Sequence, residues 1–277
     1  PGETMTAKNL SKFCGGKGLN QSIALASAGA DVAHFGCVGE DGDILLDMLK
    51  SRGVNTDSVI KIDNITSGHA IIQVDSHGQN SILLYPGANR RMTPELIDRE
   101  LEKYSCGDWL LIQNETNCLE YIMRAANKKG MKIAFNPSPM DGTVSTLPLE
   151  LVDLFLVNEI EGAAVTGKEI TEEITAEFEK LFPNAAVILT LGKKGSIFKS
   201  EKDMLFQPSY CGTVKDTTGA GDTYTGFFIA NYINGVSPQE CMRIAAMAST
   251  VQISRDGAAI AIPTKQEVLN ALKNHCR

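Results

Sequence analysis

A chain of 277 residues with 43% hydrophobic content is long enough for one large domain, or a main domain with a small appendage. The formal net charge of −7 argues against a broad nucleic-acid-binding surface. No apolar run approaches the ~18 residues that span a bilayer, and nothing in the opening residues reads as a secretory leader.

Residues 13–21, "FCGGKGLNQ", set three glycines and a lysine ahead of an apolar run. The helical spacing of "NQSIALASAGA" ends at Gly29. "DVAHFGCVG" reads as a strand and "DILLDMLKSRG" as a helix closed by Gly53. The texture then changes. "HAIIQVD" and "SILLYPG", split by the polar "SHGQN", predict an antiparallel hairpin. Residues 55–88, with "DSVIKI" among them, are read as strands outside the main sheet.

From Thr93 strands and helices alternate. "TPELIDRELEKY" is a helix with Thr93 as N-cap and Pro94 at its first position. "WLLIQ", "KIAFNPS", "LFLVN" and "AVILTLG" are strands, separated by helices at "CLEYIMRAANKKG" and "EFEKLF". "SIFKS" and "MLFQPS" form a second hairpin, and the tail holds helices at "GDTYTGFFIANYING", "PQECMRIAAMASTVQIS" and "TKQEVLNALKN". This rhythm predicts an α/β fold of three layers, with a mostly parallel sheet covered on both faces. Ligands of such sheets collect outside the carboxyl ends of the strands. Seven cysteines, at positions 14, 37, 106, 118, 211, 241 and 276, are odd in number and lack C-x-x-C spacing. They read as reduced thiols of a cytoplasmic protein.

The stretch richest in chemistry is "DTTGAGDTYTGFF", residues 216–228. Gly219, Ala220 and Gly221 stand at the head of an apolar helix, where backbone N–H groups lack intrahelical partners and the macrodipole adds positive potential. They make an anion hole that needs no basic side chain. Asp222, on its rim, is either ordinary first-turn decoration or the carboxylate that takes a hydroxyl proton in phosphoryl transfer. The residues alone leave both readings open. "GGKGLNQ" matches neither the P-loop spacing nor G-x-G-x-x-G.

In order and spacing, "PGET", "GGKGLNQ", "NEIE" at 158–161, "LTLGKKG" at 189–195, "DTTGAGD" and "SRDG" at 254–257 resemble the ribokinase, or PfkB, family of sugar kinases. The resemblance spans essentially the whole chain. It implies that the first glycine loop receives the sugar, with Gly15, Gly16, Lys17 and Asn20 facing hydroxyls and Glu115, after the "WLLIQ" strand, accepting from another. It further implies Asp222 as base, with Gly219, Ala220 and Gly221 as the anion hole. Asn158 and Glu161 would organise magnesium through water, although Asn158 is equally an ordinary N-cap. Thr190, Gly192, Gly195 and Gly221 would lie near the nucleotide, with Ala245 and Ala246 at the adenine. Lys193 to Gly195 also reads as a plain hairpin turn. A monovalent cation, potassium, would sit among the Asp216 carboxylate and backbone oxygens of Thr218, Ile253 and Gly257, with Arg255 holding the loop. His34, His69, His77 and His275 carry no catalytic pattern.

The implied activity is phosphorylation of D-ribose at its 5-hydroxyl by ATP. Residues 1–54 and 90–277 would form the main domain. Residues 55–89, with part of 1–14, would form a β lid that also pairs two subunits into a homodimer, with no nucleic-acid or membrane partner. Members of that family carry a strand ahead of "PGET" ending in a sugar-binding asparagine and aspartate, whereas these residues open at Pro1, inside that motif. The expectation is either a trimmed sequence or a protein short of one substrate carboxylate and weak in activity. The rival readings are a kinase of another sugar, a nucleoside or a sugar phosphate, a silent sugar- or nucleotide-binding regulator, and, more distantly, a dinucleotide-dependent oxidoreductase.

Overall fold

The computed structural model describes residues 10–74 and 80–275. The "PGET" motif, the hairpin tip with His77, and Cys276 lie outside the described residues. Gly16 turns the chain at φ 100° into α1 (Lys17–Ala28), and Gly29 ends that helix in a left-handed conformation at φ 101°. There follow β1 (Ala33–Val38), α2 (Asp43–Ser51), β2 (Asn55–Lys61), β3 (His69–Val74) and β4 (Asn80–Tyr85). In α3 (Pro94–Leu101) the Thr93 side chain accepts from the Leu96 N–H and proline fills the first turn, as its sequence predicts. Strand and helix then alternate through β5 (Trp109–Gln113), α4 (Leu119–Lys128), β6 (Lys132–Asn136), β7 (Leu154–Asn158), α5 (Glu159–Thr166), α6 (Thr171–Leu181) and β8 (Ala186–Thr190). The hairpin β9 (Ser196–Lys199) and β10 (Met204–Gln207) precedes α7 (Ala220–Tyr232), α8 (Pro238–Gln252) and α9 (Lys265–His275).

The main sheet runs β10-β9-β8-β7-β6-β5, parallel from β5 to β8 and antiparallel at β9 and β10. Period-two alternation sends Ala134, Leu154, Leu156 and Ile188 to one face, against α1, α7 and α8. Ile133, Phe135, Phe155, Val187 and Leu189 go to the other, against α3, α4 and α6. Both faces are dry, so the strands read as unbroken apolar runs. The parallel strands end in Gln113, Asn136, Asn158 and Thr190, four polar residues along one edge of the sheet.

The hairpin β3–β4 forms as expected, with His69 opposite Tyr85. "DSVIKI" supplies most of β2, which also lies outside the main sheet. β2 pairs in parallel with β1, in a two-stranded sheet of their own. Strand partners are long-range choices that local periodicity does not encode.

On the first face, α1 lies directly on α7. A Cβ built at Gly226 would stand 2.4 Å from the Ala24 Cβ and 2.7 Å from the Leu25 backbone nitrogen, so only glycine permits this approach.

Candidate active site

The close crossing of α1 and α7 sets the amino end of one helix against that of the other. Asn20 Nδ2 donates to Asp222 Oδ2 at 2.9 Å and Gln21 Nε2 donates to Asp222 Oδ1 at 2.9 Å. Gln21 Nε2 also donates to Asn136 Oδ1 at 3.1 Å, while Gln21 Oε1 accepts from Gln113 Nε2 at 2.7 Å. Asn136 in turn donates to the Leu156 carbonyl. Because a carboxylate only accepts, both amides are fixed in orientation and Gln21 spends every hydrogen-bonding atom it has. Asn20, Gln21, Asn136 and Asp222 are all buried. The Asn20 Oδ1 is buried and points at no donor among the described residues.

Burial pushes the Asp222 carboxyl up, against the opposing pull of Lys17 and of the Asn20 and Gln21 hydrogen bonds. Glu115, in the turn after β5, is also pushed up by burial, although its Oε2 accepts the Lys17 backbone N–H at 2.9 Å. Two basic carboxylates therefore share one cleft with Gly15, Gly16 and Lys17.

At the head of α7, Gly219 takes φ 82°. The Ala220 N–H is already given to the Thr217 carbonyl at 3.2 Å. The N–H groups of Gly219, Gly221 and Asp222 meet no acceptor among the described residues. The anion hole expected from Gly219 to Gly221 thus has two free amides in that run, and Asp222 supplies a third.

Asn158 and Glu161 form a reciprocal capping box, with Asn158 Oδ1 accepting from the Glu161 N–H at 2.9 Å and Glu161 Oε2 from the Asn158 N–H at 3.0 Å. The capping reading is realised. Glu161 Oε1 meets no protein donor among the described residues, so a hard cation reached through water fits this pair. Thr190 stands beside Asn158 in register, and its hydroxyl donates to the Val157 carbonyl at 3.3 Å. Gly192 opens the following turn at φ 53°. Gly195 has a steric reason to be glycine, since a Cβ there would stand 2.1 Å from the Gln207 carbonyl. Ala245 is fully buried and Ala246 8% exposed, both on α8 in the core cluster that includes Phe227 and Phe228 of α7. Their smallness serves helix packing.

The oxygens expected to hold potassium are engaged by the protein itself. Asp216 Oδ1 accepts the Thr218 N–H at 2.8 Å and Oδ2 accepts the Gly257 N–H at 3.0 Å. The Ile253 carbonyl accepts from the Lys215 N–H at 2.8 Å and the Asp216 N–H at 3.3 Å. The Thr218 and Gly257 carbonyls accept from Gln252 Nε2 at 2.6 and 3.3 Å. This donor set does not fit a cation shell. Arg255 pairs with Glu267 on α9 and so ties the loop down, away from the cleft.

None of the described histidines joins the cleft chemistry. His34 Nδ1 shares a hydrogen with Ser22 Oγ at 2.8 Å, and burial pulls the ring down to about 4. His69 bonds the Ser67 carbonyl and lies 3.4 Å from Asp41, while His275 stacks on Tyr210. The residues missed by sequence reading are Gln21, Gln113, Asn136 and Gln252. Gln21 directly follows Asn20, and Gln113 and Asn136 end parallel strands, so position alone could have flagged those three.

A family model described as "pfkB family carbohydrate kinase" matches residues 1–265. The ribokinase of Haemophilus influenzae is 33% identical over 282 residues, covering 99% of this chain and 92% of that protein. Among solved structures, a ribokinase from Thermotoga maritima superposes with a TM-score of 0.87 at 31% identity, covering 99% of this chain and 92% of that one. An Arabidopsis thaliana ribokinase complexed with ribose and ATP gives a TM-score of 0.85 at 30% identity, with coverage of 99% and 92%.

Proposed function

The chain belongs to the pfkB family of carbohydrate kinases, and we propose that it transfers the γ-phosphoryl group of ATP to the 5-hydroxyl of D-ribose, giving D-ribose 5-phosphate. The observation that carries this reading is the buried Asp222 carboxylate, gripped at 2.9 Å by both Asn20 and Gln21 beside a helix head with free N–H groups. Burial makes Asp222 a stronger base than an exposed aspartate, which suits it to take the hydroxyl proton as the oxygen attacks in line. The Gly219 and Gly221 amides, with Lys17, stabilise charge on the transferring group. The Asn20 Oδ1 and the Glu115 carboxylate accept sugar hydroxyls and so fix which one faces Asp222. Asn158 and Glu161 hold magnesium through water, where it offsets phosphate charge, and Thr190 and Gly192 border the nucleotide on the same sheet edge.

The substrate is tested by ADP release across D-ribose, 2-deoxyribose, fructose and nucleosides, with the product of the best one identified by phosphorus NMR. The expected result is the highest kcat/KM for D-ribose and a 5-phosphate product. A nucleoside turned over fastest would overturn the substrate assignment. ATP binding without turnover of any compound would favour the silent-regulator reading.

The β3–β4 hairpin serves as a lid and as a subunit contact. Ile82 is 54% and Leu83 65% exposed, on a two-stranded sheet whose apolar side chains stay uncovered among the described residues. A homodimer in sedimentation that Leu83→Glu splits into monomers is the expected outcome; a monomeric wild type would sink it. The six free thiols among the described residues support a reducing, cytoplasmic setting.

A further inference from the structure

We propose that the side-chain amide of Gln252 takes the place of a monovalent cation in the loop behind the anion hole, so that this kinase works without potassium. The inference rests on the site being a kinase site of this family, for which a cation at Asp216 and the neighbouring carbonyls was expected.

Gln252 is the last residue of α8 and is 0% exposed. Its Nε2 lies 2.6 Å from the Thr218 carbonyl and 3.3 Å from the Gly257 carbonyl, which belong to the two strands of loop that a cation would have to bridge. Each carbonyl oxygen has two lone pairs, so what excludes a cation is position: Nε2 already occupies the point between the two oxygens that the cation would bridge. The orientation of the amide is set by its surroundings. Turning it over would press Oε1 against two carbonyl oxygens and leave Nε2 where Oε1 now finds no donor.

The remaining expected ligands are committed in the same way. Asp216 accepts the N–H groups of Thr218 and Gly257, and the Ile253 carbonyl accepts those of Lys215 and Asp216. These bonds hold the Asp216 carboxyl below the usual carboxylate range despite its partial burial, so its charge is sustained by amides with no cationic side chain paired to it among the described residues. What a cation would have supplied in geometry is supplied from within. The Thr218 carbonyl is pinned, and with it the next residue, Gly219, whose φ of 82° opens the anion hole. Ser249, one turn earlier on α8, ties the same segment by donating to the Ala220 carbonyl at 2.9 Å.

The test compares the wild-type protein in potassium chloride and in tetramethylammonium chloride at equal ionic strength. It reads both ADP release with D-ribose and the thermal unfolding midpoint. The expected result is the same rate and the same midpoint in the two salts. In Gln252→Ala, which empties the position, the rate falls in tetramethylammonium and is recovered by potassium, and potassium raises the unfolding midpoint. A wild type accelerated or selectively stabilised by potassium would overturn the proposal, and so would a folded Gln252→Ala that potassium does not rescue. Should the variant fail to fold, the wild-type comparison decides alone. Should no sugar be turned over, the midpoints still decide, and the failure then lies with the substrate reading.

Discussion

Asp222→Asn will lower sugar-dependent ADP release by roughly 10²- to 10⁴-fold, the range that a positioned general base contributes, while ATP binding measured by calorimetry stays within error. The substitution keeps the shape of the side chain but removes its ability to take a proton. A variant that retains turnover would remove Asp222 from the base role. Its surroundings add a second, sharper reading. The hydrogen bonds from Gln21 and Asn20 favour the ionised carboxylate and oppose the effect of burial. Gln21→Met keeps the length of the side chain and loses its donors, so Asp222 then holds its proton to higher pH. The base works only when unprotonated. The acid limb of the kcat/KM profile therefore moves to higher pH in Gln21→Met, and kcat falls more than KM rises. If Gln21 served packing alone, the limb would stay in place.

Gly226→Ala will destabilise the protein by about 1–2 kcal/mol in urea unfolding, and kcat will fall with it. Two effects compete. Alanine gains about 1 kcal/mol in a helix interior over glycine. Against this, forcing a methyl group into closed packing costs about 1–3 kcal/mol, and here it meets the Ala24 Cβ at 2.4 Å and backbone atoms of Ala24 and Leu25 at 2.8 and 2.7 Å. Backbone cannot rotate aside as a side chain can, so α1 must retreat as a body. That helix carries Asn20 and Gln21, and any retreat lengthens both of their 2.9 Å bonds to Asp222. Unchanged or increased stability would show that the helices have room to adjust.

Much of the architecture was written in local patterns. The four apolar runs that became β5, β6, β7 and β8, the Thr93 cap and the Gly29 stop each depend on neighbours within a few positions. The partner of β2 depends on residues some twenty positions away, and no local pattern names it. The site divides along the same line. Asp222 and Asn20 could be named from glycine-bounded motifs, and they do meet. Asn158 and Glu161 form a capping box that leaves Glu161 Oε1 without a protein donor among the described residues, and the same two residue types at the same spacing suit either role, so pattern alone leaves two answers. Ala245 and Ala246 are small residues in a helix that packs on α7, and smallness alone does not separate a packing role from a pocket wall. Nothing in the local pattern around Gln252, the last residue of α8, marks it out. Only the folding back of residues 216–218 onto α8 reveals its partners.

The bonds from Asn20 and Gln21 to Asp222 join positions 202 and 201 residues apart. Closing so long a loop is costly in chain entropy, and contacts of that span are among the slow events of folding. A ribosome making this protein releases the glycine loop before α7, so the basic carboxylate reaches its two amide donors only after the 201 residues from Gln21 on to Asp222 have been added. A nascent chain thus carries half a reaction centre while that stretch is made, and the two halves meet only as the chain folds.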